Sequence, residues 1–306
     1  MTKEFLILLQ QMKLFLILII AGALAQKLKL LSDDDIDGFA QVNIRVMTPI
    51  MLITVISQGN RSEIGRMMPF FLCAFLSMSI SLSIAYLSGR LLRLKQPTRN
   101  IHMGVTGLGN AAMVGYPLLL SIFPDSSALA IAVYAIADSC VVWTAVPILA
   151  DPSGKADFKR IINPITISAF IGVLIMLLDI KPDNIVWNTL TEFGLTIKYA
   201  CLLYIGMDIS RKGLKKILGR LKVLSVIPIK LIITPLTIFF IINSLGVLSH
   251  ELMMMISIMS MTPSVMCITM VARTTGSDDN YATGAMITTT LASLVTIPVV
   301  MHFIGL

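Results

Sequence analysis

The chain has 306 residues, of which 56% are hydrophobic and 13% charged, against about 25% charged for an ordinary soluble domain. With a mean hydropathy of +0.86, this composition excludes a soluble globular protein and predicts an all-α integral membrane protein. The net charge of +7 does not point to nucleic acid, because the basic residues gather at the ends of apolar runs rather than on one polar face.

Ten apolar runs, each near the length needed to cross about 30 Å of hydrocarbon as a helix, cover 5–26, 39–57, 68–92, 103–123, 127–149, 161–179, 187–208, 223–243, 250–272 and 281–304. Short links join them, leaving no stretch for a soluble domain. The first run has Lys3 before it and Ala23-Leu24-Ala25 near its end, like a secretory signal and its cleavage site. Gln10, Gln11 and Lys13 interrupt the apolar core, however, and the run is too long, so it reads as a span. Lys13 could neutralise an anion in transit or reach the outer surface. Arg45 in the second run is placed to snorkel to the cytoplasmic face.

The fourth run is the most informative. Gly104, Gly107, Gly109, Gly115 and Pro117 interrupt it, with Asn110 in their midst. Broken backbone in hydrocarbon costs several kcal/mol per freed polar group, so it persists only where it lines a polar cavity. Asn110, Gly115, Tyr116 and Pro117 are therefore candidate substrate-binding residues: Asn110 either donates its amide to a ligand or caps the broken turn beside it.

In the fifth run Asp138 lies near mid-membrane, where a carboxylate costs at least ~2.5 kcal/mol. It must face something polar. A proton carrier, a Na⁺ ligand and a structural hydrogen-bond acceptor all satisfy that requirement. Lys198 sits near the centre of the seventh run, ten residues from Asp208 and too far along a helix to pair with it. Lys230 in the eighth is expected to snorkel. In the ninth, Thr262, Pro263 and Ser264 make either a second half of the site or a simple kink whose hydroxyls satisfy the freed carbonyls.

The cysteines, Cys73, Cys140, Cys201 and Cys267, stand in separate spans without metal-site or disulfide spacing. His102, His250 and His302 lie near span ends with no His-Glu-x-x-His pattern. Neither an enzyme nor a metal site is indicated, no cofactor is implied, and the many methionines read as packing. Sixteen basic residues (Lys27, Lys29; Arg90, Arg93, Lys95, Arg99; Lys155, Lys159, Arg160; Arg211, Lys212, Lys215, Lys216, Arg220, Lys222; Arg273) fall on one side of the spans. Lys3, Arg61, Arg66 and Lys181 fall on the other, so both termini are expected outside the cytoplasmic membrane.

Five spans per half require a duplicated half to be inverted. Residues 1–150 and 160–306 would be the two repeats. Ile64-Gly65-Arg66 pairs with Leu218-Gly219-Arg220 at a shift of 154, Pro147 with Pro298 at 151, and Pro117 with Pro263 at 146, the pattern of inverted-repeat transporters.

These residues support a resemblance. The segment Asn110-Ala111-Ala112-Met113-Val114-Gly115-Tyr116-Pro117 is similar to the broken fourth span of the auxin efflux carrier family. Leu30-Leu31-Ser32, Pro49, Trp143, Lys230 with Pro235, Met261-Thr262-Pro263 and Val271-Ala272-Arg273 extend the likeness to its bacterial members over nearly the whole chain. The long central loop of the plant carriers is missing, and Ser264-Val265-Met266 stands where an Asn is often found. The resemblance implies a fold like that of the bile acid sodium symporters, with broken spans four and nine crossing. Spans 1, 2, 6 and 7 would form a scaffold, and spans 3–5 and 8–10 a moving unit that works as an elevator. It further implies secondary transport of small organic anions, such as malate, malonate or auxin-like acids, with H⁺ or Na⁺ as coupling ion and a homodimer compatible with so small a scaffold. A ligand-binding membrane sensor on the same scaffold, or a Na⁺-coupled bile acid or organic anion symporter, are the alternatives.

Overall fold

The computed structural model describes residues 3–59, 62, 65, 67–150, 162, 164–180, 185–212 and 221–305. Among them Ile64, Arg66, Leu218, Gly219 and Arg220 of the repeat pairing do not fall, nor do Arg61, Lys155, Lys159, Arg160, Lys181, Lys215 and Lys216 of the charge asymmetry. The described residues form helices and no strand: α1 (Lys3–Lys27), α2 (Asp33–Ser57), α3 (Met68–Leu91), α4 (Thr98–Gly107), α5 (Ala111–Ile122), α6 (Ser127–Ala150), α7 (Pro164–Leu177), α8 (Ile185–Arg211), α9 (Lys222–Leu245), α10 (His250–Ser260), α11 (Cys267–Thr275) and α12 (Asp279–Ile304). Seven of these, α1, α2, α3, α6, α8, α9 and α12, are long and apolar enough to cross a membrane. The other three expected spans differ. The fourth and ninth are each split into two short helices, and α7 runs for only 14 described residues.

Proline placement explains the local irregularities. Pro49, Pro117 and Pro235 lack the N–H that would close an α-turn, and each follows by two residues a π-helical turn: Asn43–Met47, Ala111–Gly115 and Ile229–Ile233. At two of these turns a threonine precedes the proline and satisfies a freed carbonyl: Thr48 Oγ1 donates to Asn43 O at 2.8 Å and Thr234 Oγ1 to Ile229 O at 2.8 Å. Each π-turn adds a residue to one turn of helix and so rotates the side chains that follow.

The chain divides into two compact units, residues 1–68, 112–136 and 162–214 in the first and 69–111, 137–161 and 215–306 in the second. In the first, α1 lies along α8 through a buried stripe of Phe5, Leu8, Met12, Phe15, Ile19 and Gly22. The two backbones touch: a Cβ on Gly22 would lie 2.1 Å from Leu203 O, and one on Gly206 would lie 2.0 Å from Ile19 O. Small residues allow such contact where the bilayer supplies no hydrophobic drive for helix association. At one end of the unit Arg211 joins α8 to α2, pairing with Asp208 at 2.7 Å and Asp37 at 2.9 Å and donating to Asp33 O at 3.1 Å.

The second unit holds α3, α4, α9, α10, α11, α12 and the later part of α6. Its core gathers Ile101, Val105, Val142, Val146, Ile268 and Ala272. Glycines let α4 sit deep within it. A Cβ on Gly104 would meet Ile268 Cδ1 at 1.9 Å and one on Gly107 would meet Leu82 Cδ2 at 2.7 Å. These glycines have ordinary negative φ, so they serve close packing, while the interruption comes from the sequence that follows.

Candidate functional site

The interruptions of the fourth and ninth spans meet inside the second unit. Asn110 N–H donates to Pro263 O at 2.8 Å and Val265 N–H donates to Leu108 O at 3.2 Å, making an isolated antiparallel bridge between Gly109 and Ser264. Backbone groups that the two breaks release are thus satisfied by each other, which answers the cost of opening helices in hydrocarbon. Gly109 and Ser264 form the closely spaced type of antiparallel pair. That spacing requires glycine at 109, since a Cβ there would lie 2.2 Å from Thr262 Oγ1.

Side chains around the bridge complete it. Thr262, Ser264 and Thr289 are fully buried. The Thr262 hydroxyl donates to Met259 O at 2.7 Å, capping α10. Ser264 N–H donates to Thr289 Oγ1 at 3.0 Å, and that hydroxyl lies 2.7 Å from Ala285 O. Thr262, Pro263 and Ser264 are therefore part of a true break with an extended strand of chain, rather than a kink inside a continuous helix. Asn110 is 8% exposed. Its main chain is held by Pro263, and its side-chain amide forms no hydrogen bond to another described residue.

Lys230 corrects the snorkelling expectation. It is 2% exposed and turns inward, its Nζ donating to Leu108 O at 2.8 Å and Thr106 O at 3.2 Å. The final carbonyls of a helix lack intrahelical partners and carry the negative end of its dipole. An ammonium there satisfies both needs. Asp138 is half-buried and close enough for its charge to interact with Lys230 and with Cys267 at the start of α11.

The remaining candidates lie elsewhere. Gly115, Tyr116 and Pro117 belong to the first unit, where Tyr116 and Pro117 open the α-helical part of α5 and are buried. Lys198, also in the first unit, has its Nζ 4.8 Å from the centre of the Tyr199 ring, a cation–π contact. Asp208 pairs with Arg211 instead. Lys13 is exposed at a shallow hollow of about 350 Å³ shared by α1 and α8 and lined with Gln10, Leu14, Ile17, Leu18 and Tyr199. Arg45 is exposed.

Sequence reading missed two features. Thr289 supports the second break, and the only hint was the run Thr288-Thr289-Thr290 in an apolar helix. His102 is fully buried between Ser88 and Tyr281, with Nε2 2.8 Å from Ser88 Oγ and Nδ1 2.8 Å from Tyr281 Oη. The tyrosine hydroxyl donates onward to Lys222 O at 3.0 Å, and the Ser88 hydroxyl to Ala85 O at 2.9 Å. This network ties α3, α4, α9 and α12 together.

The apolar helices and the opened backbone within the bundle define a polytopic membrane protein of the transporter class. The family model described as membrane transport protein, that of the auxin efflux carriers, matches residues 6–159 and 153–301, and the chain belongs to this family. Its members are transporters rather than enzymes. No curated protein matches the chain.

Proposed function

We propose that the chain is a secondary carrier of small organic anions, carboxylates such as malate, malonate or auxin-like acids, in the cytoplasmic membrane with both termini outside. Ten spans in two inverted repeats, 1–150 and 160–306, would alternate access in elevator fashion, spans 3–5 and 8–10 moving on a scaffold of spans 1, 2, 6 and 7. The observation that carries this reading is the pairing of the two breaks through Asn110 N–H and Pro263 O. Asn110 could then donate its side-chain amide to a carboxylate, and the first-turn N–H groups and positive dipole end of α11, which follows the second break, suit the same group. Thr262, Pro263 and Ser264 would frame the same ligand, and Asp138 would serve coupling to H⁺ or Na⁺.

Counterflow of a labelled panel of mono- and dicarboxylates in proteoliposomes, with and without proton and Na⁺ gradients, tests the proposal. Saturable exchange of at least one carboxylate is expected, weakened in Asn110→Ala. Binding of a carboxylate without any exchange would replace the carrier by a sensor. Gradient dependence that survives in Asp138→Asn would remove Asp138 from coupling.

A further inference from the structure

The carbonyl end of α4 is made to hold a cation. It joins the negative end of a half-helix dipole, two converging backbone oxygens, Thr106 O and Leu108 O, and the nearby charge of Asp138. In carriers with discontinuous helices, half-helix C-terminal ends and unwound carbonyls of this kind coordinate the driving Na⁺ or H⁺. Here the place is filled from within the chain. Lys230 reaches it from the π-turn Ile229–Ile233, which the Thr234-Pro235 pair imposes on α9. Its Nζ donates two of its three N–H groups to the two oxygens. Leu108 O already accepts from Val265 N–H, so both its lone pairs are used, and no further cation can bind it without displacing the ammonium.

We propose that the Lys230 ammonium is a tethered cation standing where a carrier of this design would bind a coupling metal ion, so that this place takes no Na⁺. The inference rests on the carrier reading only for its consequence, that transport needs no Na⁺ there. All the groups involved, Thr106, Leu108, Asp138 and Lys230, belong to one unit. The geometry also explains why a positive charge is retained in a buried position where apolar residues would be cheaper.

The test uses purified full-length protein in detergent, and reads thermal stability and ²²Na⁺ binding rather than transport. Wild type should show the same Tm in NaCl as in choline chloride of equal strength, and no saturable ²²Na⁺ binding. Lys230→Ala should lose roughly 5 °C or more in Tm. Methylammonium or Na⁺, which fit the vacated place, should restore several degrees, whereas tetramethylammonium, which has no N–H to donate, should restore none. Saturable ²²Na⁺ binding to wild type that Asp138→Asn abolishes would overturn the proposal, because a metal ion would then share the place. A Lys230→Ala protein as stable as wild type and indifferent to every cation would overturn it too. Should that variant fail to fold, the wild-type measurements decide alone. Failure of carboxylate counterflow leaves these readouts untouched, so the two readings fall separately.

Discussion

Gly109 stands so close to Thr262 that a single added methyl group would come within 2.2 Å of the hydroxyl oxygen, while its next neighbours, Met259 O and Thr262 Cβ, are 3.4 and 3.5 Å away. The clash is thus with one atom. Gly109→Ala should lower Tm markedly, and Thr262→Ala added to it should recover part of the loss. A double-mutant cycle on purified protein should give a coupling of about 1–3 kcal/mol, and additive effects would contradict the close approach.

Asn110→Ala removes an amide that makes no hydrogen bond to another described residue. Its Tm should therefore stay within a degree or two of wild type, whereas its affinity for a transported carboxylate should fall by roughly tenfold or more, the worth of a hydrogen bond to a charged group. Competition counterflow measures the second quantity. A large drop in Tm with unchanged affinity would make Asn110 structural.

Thr289→Val keeps shape but strands the buried Ser264 N–H, whose acceptor is the Thr289 hydroxyl at 3.0 Å. The cost should be about 1–3 kcal/mol, seen as a lower Tm, and Thr289→Ser should restore most of it. Equal stability of the valine and serine variants would show that the second break does not depend on this bond.

Gly206→Val and Gly22→Val each press a side chain into backbone of the facing helix, Ile19 O and Leu203 O respectively. Backbone cannot swing aside as a side-chain end does, so both variants should yield little folded monomer in detergent size-exclusion profiles. Gly38→Ala, which meets nothing within 4 Å, is the control and should behave as wild type.

Much of the arrangement is legible from residue types. The apolar runs match the long helices closely, and the glycines, proline and asparagine of the fourth span mark its break. The ninth span was ambiguous for a physical reason: a proline flanked by hydroxyl residues can kink or break a helix, and the choice is made by Leu108 O and Asn110 N–H, main-chain groups with no sequence signature. Lys230 was misread because counting residues from a span end assumes a regular 3.6-residue turn. What holds the side chain inward is a pair of main-chain acceptors on another span, Thr106 O and Leu108 O, which a count of residues cannot show. Similarly, Gly22 lies beside the small residues that suggest a cleavage site in the first span, yet it serves intimate contact with α8.

The bridge between Leu108–Asn110 and Pro263–Val265 also dictates an order of events on the ribosome. Roughly 150 residues must emerge after the first break before its partner exists, which takes on the order of 10–30 s at typical synthesis rates. Throughout that interval the nascent first half carries unpaired main-chain groups that hydrocarbon penalises. The insertion machinery, a bound water or a temporary turn must shelter them until the last quarter of the polypeptide arrives.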